Sequence, residues 1–428
     1  MNLPSNQRRQ FIKAITSSMS LAMLSANALA ANKKSLGRVV VIGGGFGGAT
    51  AAKYLRMWSE GRIEVTLIER NKEFISCPMS NEVLAGYRDF ESLRHNYAAL
   101  KKHWGVKLVH ANVTAVATEQ GRVKTDHAGE FAFDHLVVAP GIDFLYGEVA
   151  GYTEAAREKI FHAWKAGPQT VALRKQLEAM PDGGVCAITI PKAPYRCPPG
   201  PYERACLIAS YFKTHKPKSK VLLLDANDKV QSKEKLFRGV WETDYKDLIE
   251  YQANWNVVSV DAGQNSVTSE LGDTVKAAVL NIIPPQRAGD IAQSAGLINV
   301  NKRWCSVDWV TLESTAATKI HVIGDALMPA PTMPKSGHMA NQHGKAAAAA
   351  IVEMLSGRTP QPMLMANTCY SMVDENRGIH VASVHRYDAE KKAPQPVVGA
   401  GGVSVEPSKL EGIFAHAWAN TIWKEMLG

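Results

Sequence analysis

The sequence predicts an α/β fold, with two Rossmann-like nucleotide-binding units followed by a small C-terminal α+β unit. Three observations carry this expectation. A glycine-rich turn joins a β-branched strand to an alanine-rich helix just after residue 36. A second strand–helix–strand run occupies the middle of the chain, and a new pattern begins beyond the break at Pro360-Gln361-Pro362. A length of 428 residues accommodates about three such units at roughly 150 residues each.

The first unit opens with Gly37 to Ile42 (GRVVVI), a continuous apolar run of the kind buried on both faces of a parallel sheet. Gly43, Gly45 and Gly48 complete a G-x-G-x-x-G turn, and Ala49 to Trp58 reads as the following helix. Ile63 to Ile68 is the next strand, ending in Glu69, 21 residues after Gly48. Glycines at these positions allow a tight turn and let backbone N–H groups and the helix dipole approach a pyrophosphate, while the acid suits a ribose hydroxyl. Phe133 to Pro140 is a further strand, closed by Gly141. Thr318 to Ile323 leads into Gly324-Asp325, ahead of a helix from about Lys335 to Leu355. Asp325 suits either a hydrogen bond to a cofactor hydroxyl or a helix cap.

In the middle unit, strand Gly184 to Ile190 is followed by Pro191, Pro194, Pro198, Pro199 and Pro201 in place of a second glycine motif. Prolines lack N–H donors and their rings obstruct a phosphate held by backbone amides. The next strand, Lys220 to Asp225, is retained. The expectation is a Rossmann-like fold without a nicotinamide pocket.

Composition narrows the classes. Hydrophobic residues make up 46% and charged residues 21%, which excludes wholesale disorder, collagen and coiled coil. The net charge of +9 falls to +6 without Arg8, Arg9 and Lys13 of residues 1–30, a segment with no carboxylate. Its arginine pair, mildly apolar run Ala14 to Leu29 and terminal Ala28-Leu29-Ala30 resemble a twin-arginine export signal. Without an Arg/Lys run interleaved with aromatics, nucleic acid is not an expected partner.

Six cysteines are too few for a disulfide scaffold. Cys186, Cys206 and Cys305 read as packing residues. Cys197 stands before Pro198-Pro199-Gly200-Pro201 and a helix from Tyr202 to Thr214, where the helix N-terminus and Arg196 favour a thiolate. Glu203, in the first helical turn, is placed as a proton acceptor or donor at that sulfur. Its other reading is favourable charge–dipole placement.

The pieces around residues 36–428 resemble the two-dinucleotide-binding-domain, glutathione-reductase-like flavoproteins. The strings SCPMSNEV around Cys77, YRCPPGPYERA around Cys197 and NTCYS around Cys369 are similar to the flavoprotein subunit of flavocytochrome c sulfide dehydrogenase. That resemblance implies FAD bonded through Cys77, a redox-active disulfide of Cys197 and Cys369, and Glu203 as the acid–base group. It implies FAD contacts from Gly43, Gly45, Gly48, Glu69 and Asp325, with no metal. The implied activity is a periplasmic oxidation of sulfide to sulfur or polysulfide, with electrons passing to a cytochrome c on another chain. The implied division is an export signal at 1–30, an FAD domain at 36–150 and 286–360, a NAD-binding-like domain at 151–285, and a C-terminal flavin or interface domain at 361–428.

The tail, Leu410 to Leu427, reads as an amphipathic helix with Leu410, Ile413, Phe414, Ala417, Trp418, Ile422, Trp423 and Met426 on one face. Core packing or a subunit interface is the first expectation. A membrane-docked sulfide:quinone oxidoreductase is the alternative, and Lys409, Glu411, Lys424 and Glu425 make a mixed polar side ill-suited to anionic lipid. A flavin-bearing partner of another sulfur enzyme, with little turnover alone, uses the same residues.

Overall fold

A computed structural model describes residues 34–428, so the export-signal reading of residues 1–30 lies outside them. The chain runs through β1 (Gly37–Ile42), α1 (Phe46–Trp58), β2 (Ile63–Ile68), β3 (Lys107–Val109) and β4 (His135–Val138). It continues with β5 (Val185–Ile190), α2 (Gly200–His215), β6 (Lys220–Asp225), α3 (Glu234–Thr243), β7 (Ile249–Gln252) and β8 (Val279–Ile282). The last part comprises β9 (Ile320–Val322), α4 (Gly337–Leu355), β10 (Met365–Met372), β11 (Gly378–Asp388), β12 (Ala393–Val403) and α5 (Lys409–Leu427).

The first sheet is parallel, in the order β9-β4-β1-β2-β3. Val39, Val40 and Val41 of β1 are buried, as the unbroken apolar run predicts. The chain winds outward from β1 through β2 to β3, then crosses to β4 on the other side. That reversal opens a crevice beyond the carboxyl ends of β1 and β4. The second sheet, also parallel, repeats the plan in the order β7-β6-β5-β8, with its reversal between β5 and β8. A third, antiparallel sheet β10-β11-β12 carries Cys369 on its first strand.

Glycines set two close approaches that shape the first crevice. A Cβ on Gly344 of α4 would lie 2.4 Å from the Gly47 carbonyl oxygen, so the two helices cross almost backbone to backbone. A Cβ on Gly43, whose φ is +93°, would lie 2.3 Å from the Ala139 carbonyl oxygen just past β4.

The single apolar face expected of α5 is divided. Ile422, Trp423 and Met426 are buried, whereas Leu410, Ile413 and Phe414 are 57%, 63% and 46% exposed. Small residues explain the split. Gly412 faces the Asn376 carbonyl so closely that a Cβ would stand 2.1 Å away, and Ala415 is buried, so the larger side chains of these turns point outward.

Candidate active site

Two cavities share Gly45, Phe74, Ala139, Gly141, Lys165 and Arg196 in their walls. The outer one, of about 780 Å³, is lined by Gly43 and Glu69. The inner one, of about 310 Å³, is lined by Cys77, Cys197, Glu203, Asp325 and Cys369. A ligand reaching from Glu69 to the cysteines must be long and must pass Gly45. The first sheet's crevice and the proline-rich segment after β5 supply its walls, and the strand carrying Cys369 closes the inner end.

Each glycine of the motif has its own reason. Gly48 fits against the Gly43 carbonyl, where a Cβ would stand 1.8 Å from the oxygen. Gly45 has nothing within 4 Å of a built Cβ, which leaves its backbone open to the cavity. The Glu69 carboxylate is fixed at the strand end, accepting the Gly44 N–H at 2.7 Å through one oxygen. Its other oxygen accepts the Asn71 backbone and side-chain N–H groups, both at 2.8 Å.

Asp325 follows β9, and its Oδ1 is buried without a hydrogen-bond partner among the described residues. Burial raises its pKa, opposed by Arg196 and Lys335. Leaving such an oxygen unmet costs about 1–3 kcal/mol. An orphaned acceptor in the wall of the inner cavity is what a hydroxyl-bearing cofactor such as FAD would satisfy. The helix-cap reading of Asp325 gains nothing, because α4 is capped by Ser336, which accepts the Met339 N–H at 3.0 Å.

In the second unit the corresponding place, at the end of β6, is filled by protein groups. Asp225, at the end of β6, is buried and accepts the hydroxyls of Tyr202 at 2.7 Å and Tyr251 at 3.1 Å. Its other oxygen accepts the Asn227 N–H at 2.9 Å and side-chain amide at 2.7 Å. The acid that would hold a ribose is saturated by protein donors, and the buried ring of Tyr195 adds to the filling.

Cys77 sits on the loop before the short helix Ser80–Ala85, its Sγ 3.4 Å from the Ala166 N–H. Cys197 adopts a φ of +58° and its N–H donates to the Lys335 carbonyl at 2.8 Å. Gly200 packs against its sulfur, where a Cβ would come within 3.0 Å. All six cysteines are free thiols in this structure, and Cys186, Cys206 and Cys305 are buried. The expected thiolate bias at Cys197 is reversed: burial pushes its pKa well up, reinforced by Glu203 and Cys369, and this outweighs Arg196 and Lys233. The sequence shows the helix end and the arginine but not the desolvation.

Glu203 is at the same wall. Its Oε2 accepts Asn81 Nδ2 at 3.1 Å and its Oε1 accepts the Met372 N–H at 3.0 Å. Burial raises its pKa to about 7, against the pull of those donors and of Lys233. A group poised there can hold or release a proton near neutrality. The dipole-only reading of Glu203 does not account for these directed contacts.

Three residues of the site had no signal in the sequence. Asn81 is oriented by Arg204, whose Nε donates to Asn81 Oδ1 at 3.0 Å while its other nitrogens bond His162, Ala163 and Asn281. Lys233, just ahead of α3, reaches across to the carbonyl of Cys369 at 3.1 Å. Asn81 and Arg204 lie inside the strings around Cys77 and Cys197 but nothing local marks them out, and Lys233 lies in no motif. The partners of all three are distant in sequence.

Residues 170–284 match the family described as the central part of the sulfide dehydrogenase (flavocytochrome c) flavoprotein chain, and residues 360–427 match its flavin-binding part. A flavocytochrome c sulfide dehydrogenase flavoprotein chain from Chlorobaculum thiosulfatiphilum is 59% identical over 46 residues, 11% of this chain and 94% of that sequence. The chain belongs to this flavoprotein family. It is therefore an FAD-binding oxidoreductase of a sulfide-oxidising group. Residues 37–176 match the pyridine nucleotide-disulphide oxidoreductase family, in keeping with the first parallel sheet. Mouse mitochondrial sulfide:quinone oxidoreductase is 25% identical over 317 residues, 72% of this chain and 69% of that protein. The sulfide:quinone oxidoreductase structure from Aquifex aeolicus superposes with a TM-score of 0.75 at 19% identity over 91% of both chains, which establishes the shared two-unit fold. Among the described residues no helix is long and apolar enough to cross a membrane, and no cluster suits a metal ion.

Proposed function

We propose that this flavoprotein is a periplasmic sulfide:cytochrome c oxidoreductase that opens a Cys197–Cys369 disulfide with bisulfide. The observation that carries the reading is one cavity walled by Cys77, Cys197, Glu203, Asp325 and Cys369. Bisulfide attacks one sulfur, a new S–S bond forms, and the Cys197–Cys369 bond breaks with its electron pair on the other sulfur. Glu203, with its pKa near 7, takes the proton of the resulting persulfide. Asn81 and the Met372 N–H hold that carboxylate in place. A second bisulfide can then attack the outer persulfide sulfur, forming a new S–S bond as the bond to the cysteine breaks. A hydrodisulfide, the shortest polysulfide, is released and the cysteine keeps the electron pair as a thiolate.

Gly43, Gly45 and Gly48 would hold the pyrophosphate of FAD, Glu69 its ribose and Asp325 its ribityl chain, with Cys77 as the covalent anchor. When bound, FAD supplies a two-electron acceptor able to release electrons singly, as a cytochrome haem requires. The saturated Asp225 argues against a nicotinamide donor. The domain division given above fits the first sheet's recruitment of β9 from beyond the second unit. A twin-arginine signal would deliver the folded, cofactor-loaded protein to a compartment where a disulfide persists.

One observation favours a second reading. The exposed Leu410, Ile413 and Phe414 of α5 could rest on a membrane and serve quinone. Sulfide-driven reduction rates with soluble cytochrome c and with a short-chain quinone separate the two: faster cytochrome reduction supports the proposal, and faster quinone reduction overturns it.

A further inference from the structure

Lys233 is only 8% exposed, yet among the described residues it forms no ion pair. Its ammonium donates to the Cys369 carbonyl at 3.1 Å and to Ser371 Oγ at 2.8 Å, both on β10. The Phe237 ring centroid lies 5.7 Å away. Two neutral oxygens and a ring do not repay the loss of water around a buried cation, and a protein interior tolerates such a charge where an anion completes it. The groups facing Lys233 that can become negative are Cys369, Glu203, Cys197 and Glu411, from β10, α2, the segment before it, and α5. Glu411 Oε1 accepts Ser404 Oγ at 2.9 Å and lies 2.7 Å from His380 Nδ1, while its Oε2 has no hydrogen-bond partner among the described residues. Of the four groups Cys369 acts most strongly on Lys233 and Glu411 least, and the ammonium is bonded to the backbone of Cys369 itself.

We propose that Lys233 is a positioning residue whose fixed positive charge stabilises the sulfur anion generated on Cys369 when bisulfide opens the Cys197–Cys369 disulfide. The inference rests on the disulfide reading above. The disulfide is the oxidant and the bisulfide sulfur is oxidised. If bisulfide bonds to Cys197, Cys369 leaves with the electron pair as a thiolate. If it bonds to Cys369, Cys197 takes the pair, the S–H proton passes to Glu203, and a persulfide anion stays on Cys369. Both routes put a negative sulfur at Cys369. The neighbouring arginine does not serve this purpose as directly, because the Arg196 side chain is bonded to the Trp164 carbonyl.

The test is the pH profile of Cys369 alkylation by iodoacetamide in the reduced, FAD-loaded protein, read by peptide mass spectrometry. In Lys233→Met, alkylation of Cys369 at pH 7 should fall about tenfold and its inflection rise by about one pH unit. Lys233→Arg should restore the wild-type rate at pH 7. Should Lys233→Met not fold, Lys233→Gln, which keeps an N–H donor for the Cys369 carbonyl and Ser371 Oγ but carries no charge, takes its place with the same expected fall and rise. A Lys233→Met or Lys233→Gln profile matching the wild type overturns the proposal. Alkylation needs no disulfide turnover, so it reads Lys233 separately from the disulfide reading, which fails if Cys197→Ser and Cys369→Ser keep full turnover.

Discussion

The Glu203 carboxylate and the Asn81 amide stand 3.1 Å apart, across helices from two different units of the chain. Arg204 fixes which end of Asn81 faces the carboxylate, and burial lifts Glu203 to about pH 7. Glu203→Gln should therefore lower sulfide turnover about 10²-fold. The ratio of wild-type to variant rate, in which the ionisation of sulfide itself cancels, should rise with pH through about 7. A flat ratio contradicts a proton-accepting role.

The same shift has a sign for stability. Glu203 is raised from 4.5 to about 7 on folding, so the folded protein holds the proton more tightly. Its contribution is fully present below about pH 4.5 and is lost as pH rises through about 7. Glu203→Gln should accordingly raise Tm more at pH 8 than at pH 5. Thermal melts of the two proteins at both pH values check this.

Asp325 carries a buried oxygen with no partner among the described residues. Asp325→Ala should leave the cofactor-free protein as stable as wild type or more so, while weakening FAD binding. The affinity is best measured by flavin fluorescence in a Cys77→Ala background, where a loss of about tenfold is expected for one charge-assisted hydrogen bond. Unchanged affinity removes Asp325 from the cofactor site.

Two neighbouring glycines should behave differently. Gly48→Ala brings a Cβ to 1.8 Å from the Gly43 carbonyl and should cost more than about 3 kcal/mol in denaturant unfolding. Gly45→Ala meets nothing within 4 Å, so the fold should survive with reduced FAD retention. Equal losses of stability in the two would contradict the assignment of Gly45 to the cofactor.

If Cys77 anchors FAD, flavin fluorescence should travel with the protein band in denaturing electrophoresis and vanish in Cys77→Ala. A dark wild-type band contradicts the covalent bond.

Much of this was legible in the sequence because it is local. GRVVVI, the glycine turn and the strand ending at Glu69 each announce their structure within a few residues, and β1 and β2 fall at the predicted bounds. The helix after Cys197 begins at Gly200, two residues earlier than its pattern suggests. What was hidden depends on burial and on contacts between distant segments. The sequence places Arg196 and a helix end beside Cys197, but the desolvation that overrules them comes from the surrounding fold. Lys233 and Cys369 are 136 residues apart and meet only when the third sheet packs on the second unit. The apolar stripe of α5 was correctly periodic, yet Gly412 and Ala415 decide which part of it is covered.

The central claim is that Cys197 and Cys369 act together on sulfide. It is tested most directly by sulfide-dependent cytochrome c reduction with purified wild-type, Cys197→Ser and Cys369→Ser proteins. The account predicts rapid reduction by the wild type and its loss in both variants. Undiminished rates in the two serine variants would contradict it.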